Sequence, residues 1–257
     1  MARRKEQGPW FWRGAIALML TSVFGVFAAA AIHQPPVTDT ETGCRLDRQD
    51  PAHTIILVDQ SDPFNATDLD WVRSLLDGEA RGLERYGRLT LMVPNSASPF
   101  DPVTVYSVCS PGSAAEANPI FQNPKMIAAA WEKKFHAPMM EKADEALRDT
   151  VAPSSPLMEA IYTIGDRPDF QSQVPVRKLI LVSDLMQHSP GFSMYRSGAD
   201  AEAYAATELS TMTPGLENVE VTARIVPRQE YALPLTDVKL FWLDWFGATG
   251  ADYSSVR

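Results

Sequence analysis

Three short segments carry the side chains able to do chemistry. Asp59-Gln60-Ser61 follows an apolar run, Ser154-Ser155 precedes Pro156-Leu157, and Ser183-Asp184 follows a second apolar run. Each offers carboxylate or hydroxyl oxygens and no nitrogen or sulfur. Oxygen-only donor sets suit hard cations, Mg²⁺ above all. A hydroxyl coordinates without adding negative charge. A cation held partly by hydroxyls therefore stays electropositive and accepts one more carboxylate, from outside. A plainer reading stands beside this one. Asp59 and Ser61 are good helix caps, Ser155 before Pro156 is another, and Asp184 would then only hold a loop.

The surrounding pattern tells what positions these groups. Residues 53–58 (HTIILV) and 177–182 (RKLILV) are continuous apolar runs, as expected of strands buried on both faces. Residues 88–93 and 103–108 read as two further strands, joined by a Pro- and Ser-rich loop and suited to a hairpin, and 219–226 as another. Helical spacing appears over 68–85 with Asp68 as cap, over 125–147 with a break at Pro138, and over 156–164, 200–212 and 235–246. Buried strands alternating with helices predict an α/β fold with a doubly wound, mainly parallel sheet. Ligands of such sheets bind at the carboxyl ends of the strands, where Asp59 and Asp184 fall.

These segments resemble the metal-ion-dependent adhesion site of the von Willebrand factor type A family. That family carries DxSxS after its first strand, a Thr often followed by Pro-Leu before a middle helix, and an Asp after a later strand. Asp59 and Ser61 match the first two positions, and the third falls on Pro63, which has no hydroxyl. Ser155-Pro156-Leu157 takes the place of Thr-Pro-Leu, and Asp184 that of the later Asp, with Leu185 where the family often has Gly. Over roughly residues 52–250 the resemblance implies a doubly wound sheet and Mg²⁺ or Mn²⁺ bound by Asp59, Ser61, Ser155 and Asp184. It further implies that Ser61 and Ser155 touch the ion while Asp59 and Asp184 hold its waters. Partner recognition, not catalysis, is the activity implied. Asp62 is an additional acid beside the site.

Residues 14–32 hold no charge and are long enough to cross a bilayer, which takes about 20 residues. Arg3, Arg4, Lys5 and Arg13 precede the run, with Trp10, Phe11 and Trp12 at its basic end. The positive-inside rule then places residues 1–13 in the cytoplasm and the remainder outside it, in the periplasm or beyond the cell. A retained anchor in the inner or plasma membrane and a cleaved signal peptide both fit, the latter through the small residues at 28–31. Residues 33–52, with three prolines, read as a stalk, 53–250 as the domain and 251–257 as a tail.

Composition narrows the function. The 257 residues are 45% hydrophobic, which excludes a largely disordered chain. Net charge is −9, and the first thirteen residues carry four basic groups against Glu6, which leaves −12 on the rest. That body repels phosphate backbones, so nucleic acid is not an expected partner. The two cysteines, Cys44 and Cys109, are expected to pair in an oxidising compartment, the alternative being two free thiols. His188-Ser189 lacks the context of a nucleophile and its base, and His136 reads as a packed or surface histidine. Trp242 and Trp245 read as core packing, or else as a stripe facing a membrane or partner. The expectation is a membrane-anchored module that binds a protein partner, with or without a cation. A metal-dependent hydrolase using Asp59 and Asp184, or a structural envelope subunit with a vestigial site, are the alternatives.

Overall fold

A computed structural model describes residues 9–32, 36–61, 63–118, 122–148, 152–226 and 233–256. Two compact units divide the chain at Val37/Thr38. The first contains helix α1 (Pro9–Ile32), within which 20 residues, Trp10–Ala29, are long and apolar enough to span a membrane. Their side chains have no core to enter: none of this stretch is buried.

The second unit is a six-stranded sheet. Its elements are β1 (Ala52–Val58), α2 (Ala66–Gly82), β2 (Arg88–Val93), β3 (Val103–Cys109), α3 (Pro124–Trp131), α4 (Ala137–Leu147), α5 (Leu157–Gly165) and β4 (Val176–Ser183). Short helices α6 (Met194–Ser197) and α7 (Ala201–Ala205) follow, then β5 (Glu220–Ile225), α8 (Leu235–Gly247) and β6 (Asp252–Val256). Strand order is β3-β2-β1-β4-β5-β6. All neighbours are parallel except β2 and β3, which form the expected antiparallel hairpin.

The apolar run of β1 explains the layering. Ile55 and Leu57 face one way, into a core with Leu157 and Ile161 of α5 and Trp242 and Phe246 of α8. Ile56 and Val58 face the other way, against Val72 and Leu76 of α2 and Met139 of α4. Period-two alternation thus serves two cores at once, and β1 has no polar face to show. The doubly wound, mainly parallel sheet is therefore observed.

Several local expectations change. Helix α2 begins two residues before Asp68, because Asn65 caps it by accepting from the Asp68 amide. The irregularity expected at Pro138 lies just upstream, as a π-helical turn over Glu132–His136. Residues 200–212 break into α7 and a 3-10 turn over Glu208–Thr211. The tail at 251–257 supplies β6: Asp252–Val256 alternates exposed and half-buried residues, and Tyr253 stacks on Phe246 at 4.6 Å. Part of the stalk belongs to the body too. Thr38 bridges Arg45, Asp50 is buried, and Cys44 is bonded to Cys109, so the expected disulfide is present.

At the amino ends of the strands sits a buried polar group of a different kind. His53 is fully buried, with Nδ1 2.8 Å from the Asp169 carbonyl and Nε2 2.8 Å from the Thr90 hydroxyl. The carbonyl can only accept, so Nδ1 donates and Nε2 accepts. Burial holds this imidazole neutral and lowers its pKa to about 4.

Candidate functional site

The site lies at the carboxyl ends of β1 and β4, as the strand order requires. Asp59 follows β1 directly, and its amide donates to the Val182 carbonyl of β4 at 2.9 Å. Its carboxylate is buried and accepts three hydrogen bonds. Oδ2 accepts from the Ser155 hydroxyl at 2.7 Å and from the Ser183 hydroxyl at 2.8 Å, and Oδ1 accepts from the Ser61 amide at 3.0 Å. Asp59 therefore does not cap α2, which has Asn65 for that purpose. Ser155 does not cap α5 either: the residue before that helix is Pro156, no side chain caps it, and the Ser155 hydroxyl donates to Asp59.

Three loops are stitched together around this carboxylate. Ser155 and His188 exchange two backbone hydrogen bonds, at 2.9 and 2.8 Å. Ala152 donates to the Gln60 carbonyl, and Ser96 Oγ to the Ser154 carbonyl. Below them Gln187, wholly buried, accepts from the Met158 amide and donates to the buried Glu159. The loop after β4 is fixed by its own turn. Ser183 Oγ accepts from the Leu185 amide and Asp184 Oδ1 from the Met186 amide, each at 2.9 Å. Leu185 has φ 67°, in the left-handed region that favours glycine. The Trp242 indole of α8 donates to its carbonyl at 2.8 Å and helps to hold that conformation.

The surface above is a cleft of about 230 Å³, lined by Ser61, Ser155, Met186, His188 and Tyr195 among others. Of the four expected ligands, Asp59 and Ser155 are in direct contact, and Ser61 shares the cleft with Ser155. Asp184 is buried in the adjoining turn. Asp62 lies outside the described residues. Ser183, named in the sequence as part of the third segment but not among the four expected ligands, is the residue of that segment whose side chain bonds Asp59. The His188 imidazole meets Ser193, not Ser189: Nδ1 is 2.8 Å from a hydroxyl that is itself buried, and no carboxylate among the described residues bonds the other ring nitrogen. No nucleophile, base and orienting acid assemble here among the described residues.

The donor set fits a hard cation. All its atoms are oxygens, and Asp59 is met by hydroxyls and an amide instead of a Lys or Arg. A second cluster, Cys44, Asp50 and Cys109, does not fit one. Its sulfurs are bonded to each other and offer no thiolate, and Asp50 is paired with Arg88 at 2.7 Å.

No family model and no curated protein matches this chain. Several solved structures are similar to it. BatB of Bacteroides thetaiotaomicron is 13% identical, with 80% of this chain and 90% of that one covered and a TM-score of 0.42. For an aerotolerance-related membrane protein of Bacteroides fragilis the values are 12%, 80%, 92% and 0.36. For the ArnB paralog VWA2 of Sulfolobus acidocaldarius they are 12%, 81%, 42% and 0.40. Within the chain itself, the doubly wound, mainly parallel sheet is the one the resemblance implied, and the loops holding Ser155 and Ser183 converge on Asp59. The body thus has the doubly wound sheet expected from its resemblance to the von Willebrand factor type A family. Leu185, the position where the resemblance expects Gly, takes a left-handed conformation that costs a glycine little and a leucine more.

Proposed function

We propose that this vWA-like domain is a membrane-anchored, extracytoplasmic module that grips a protein partner through a divalent cation, Mg²⁺ or Mn²⁺. Helix α1 would be the anchor, with the basic N-terminus in the cytoplasm and the body on the far side. Asp59, Ser61, Ser155 and Asp184 would hold the ion, and the partner would supply an acidic side chain through the cleft beside Ser155 and His188. The observation that carries this reading is the convergence of two buried hydroxyls on one buried carboxylate at the sheet's carboxyl edge. Nothing in that arrangement is needed for helix capping, and it leaves an all-oxygen site at a cleft floor.

One observation favours a second reading. Asp59 already accepts three hydrogen bonds, so it is satisfied without a cation, as a vestigial site in a structural envelope subunit would be. Crosslinking in native membranes, with and without chelator, separates the two. Capture of a partner that is lost with chelator and with Asp59→Ala supports the cation-dependent module. Capture indifferent to both supports the structural subunit.

A further inference from the structure

We infer that Ser183 supplies the hydroxyl that the site lacks at Pro63, so the cation site is complete and not degenerate. This rests on the cation reading above and names a further ligand for it. Pro63 stands at the third position of the motif but is exposed on the loop before α2. Ser183, from the end of β4, is 1% exposed and reaches the same carboxylate oxygen as Ser155, at 2.8 against 2.7 Å. Two hydroxyl oxygens are thereby gathered on Asp59 Oδ2, as a donor at position 63 would otherwise be.

The valence of the Ser183 oxygen allows this. A serine hydroxyl has one proton and two lone pairs. The proton goes to Asp59, and one lone pair accepts the Leu185 amide. Among the described residues nothing bonds the second lone pair, which leaves it available to a cation. The backbone supports the same role. The left-handed Leu185, its carbonyl held by Trp242, keeps the Leu185 amide on Ser183 Oγ and so fixes the rotamer that meets Asp59. A serine serving only to cap this turn would satisfy Leu185 without needing to reach another strand's carboxylate.

The test is Mn²⁺ titration of the full chain in detergent, read by the EPR signal of free Mn²⁺, with Asp59→Ala as the reference for a destroyed site. Ser183→Ala should bind about tenfold more weakly, the loss of roughly one hydroxyl ligand. Ser183→Thr, which keeps the oxygen, should bind like the native chain. Pro63→Ser should bring no gain. Ser183→Cys should lose Mn²⁺ but gain Cd²⁺, because a soft thiolate at a ligand position changes metal preference and a merely structural serine does not. Unchanged binding in Ser183→Ala, tighter binding in Pro63→Ser, or no Cd²⁺ gain in Ser183→Cys would each overturn the assignment. If the native chain binds no better than Asp59→Ala, the cation reading itself falls, and this inference with it.

Discussion

Ser155 and Asp59, 96 positions apart in sequence, are joined by a 2.7 Å hydrogen bond between buried side chains. That bond ties the loop before α5 to the end of the first strand. It also explains why the carboxylate is tolerated without a basic partner: burying a carboxylate is costly unless hydrogen bonds replace its water, and here three do.

Asp59→Ala should therefore destabilise the metal-free protein. Two buried hydroxyls and one amide lose their acceptor, at a cost of about 1–3 kcal/mol. Urea unfolding in the presence of chelator measures this. A mutant as stable as the native chain would mean that repulsion between Asp59 and Asp184 outweighs the three hydrogen bonds.

The strand-end chemistry was legible in the sequence because apolar runs locate strands, and an acid directly after such a run has few places to go. Asp59 and Asp184 were found that way. Within the Ser183-Asp184 segment the expected ligand was Asp184, because it carries the charge, and only the register of β4 against β1 shows that the serine hydroxyl reaches Asp59. Strand β6 was missed for a related reason. Asp252–Val256 is a polar edge strand with one paired neighbour, and DYSSV has too little apolar content to announce itself. The short helices within 200–212 escaped because helical spacing does not reveal a break between one turn and the next.

Trp242→Phe isolates the control of the loop after β4. The ring still fills the core, but the Leu185 carbonyl loses its 2.8 Å donor. A loss of about 0.5–1.5 kcal/mol is expected, since the carbonyl keeps the Gln187 amide at 3.0 Å and loses one of its two hydrogen bonds. Hydrogen exchange should speed up at Met186 and Gln187 more than in β1. Uniform acceleration across the sheet would show that the indole serves only the core.

The disulfide joins residues 65 positions apart. In the chain-entropy model, closing such a loop contributes about 4 kcal/mol by restricting the unfolded chain. Replacing both Cys44 and Cys109 by Ser should lower the urea midpoint accordingly, and thiol labelling of the unfolded, unreduced native protein should find no free cysteine. Two labels per chain would reject the bridge.

The orientation of the chain is open to a direct test. Proteolysis of spheroplasts should degrade the vWA-like body and leave a short membrane-bound stub containing α1, if the basic N-terminus is cytoplasmic. Full protection of the body would reverse the topology. Release of the intact body into the medium would favour a cleaved signal peptide.

His53 gives a pH dependence whose sign follows from its burial. Its folded-state pKa is about 4 against an ordinary 6.5, because burial penalises the charged ring. Above pH 6.5 both folded and unfolded forms are neutral and the stability is fully present. As pH falls below 6.5 the unfolded chain takes up the proton first, and stability is lost progressively until the folded imidazole also protonates near pH 4. Between pH 8 and pH 5 the loss from this one group is about 2 kcal/mol. Asp169, beside it, does not oppose this. Burial raises its pKa, but the Arg167 hydrogen bond, His53 and Arg88 outweigh that and leave it lowered, so it stays ionised through the same window. Denaturant unfolding of the native chain and of His53→Gln at pH 8 and pH 5 measures the difference. Gln carries no titrating proton and can still donate toward the Asp169 carbonyl, so its stability should fall by distinctly less over that interval. Equal slopes for the two proteins would mean that the imidazole protonates inside the fold, with Thr90 turning its hydroxyl oxygen to accept the new proton.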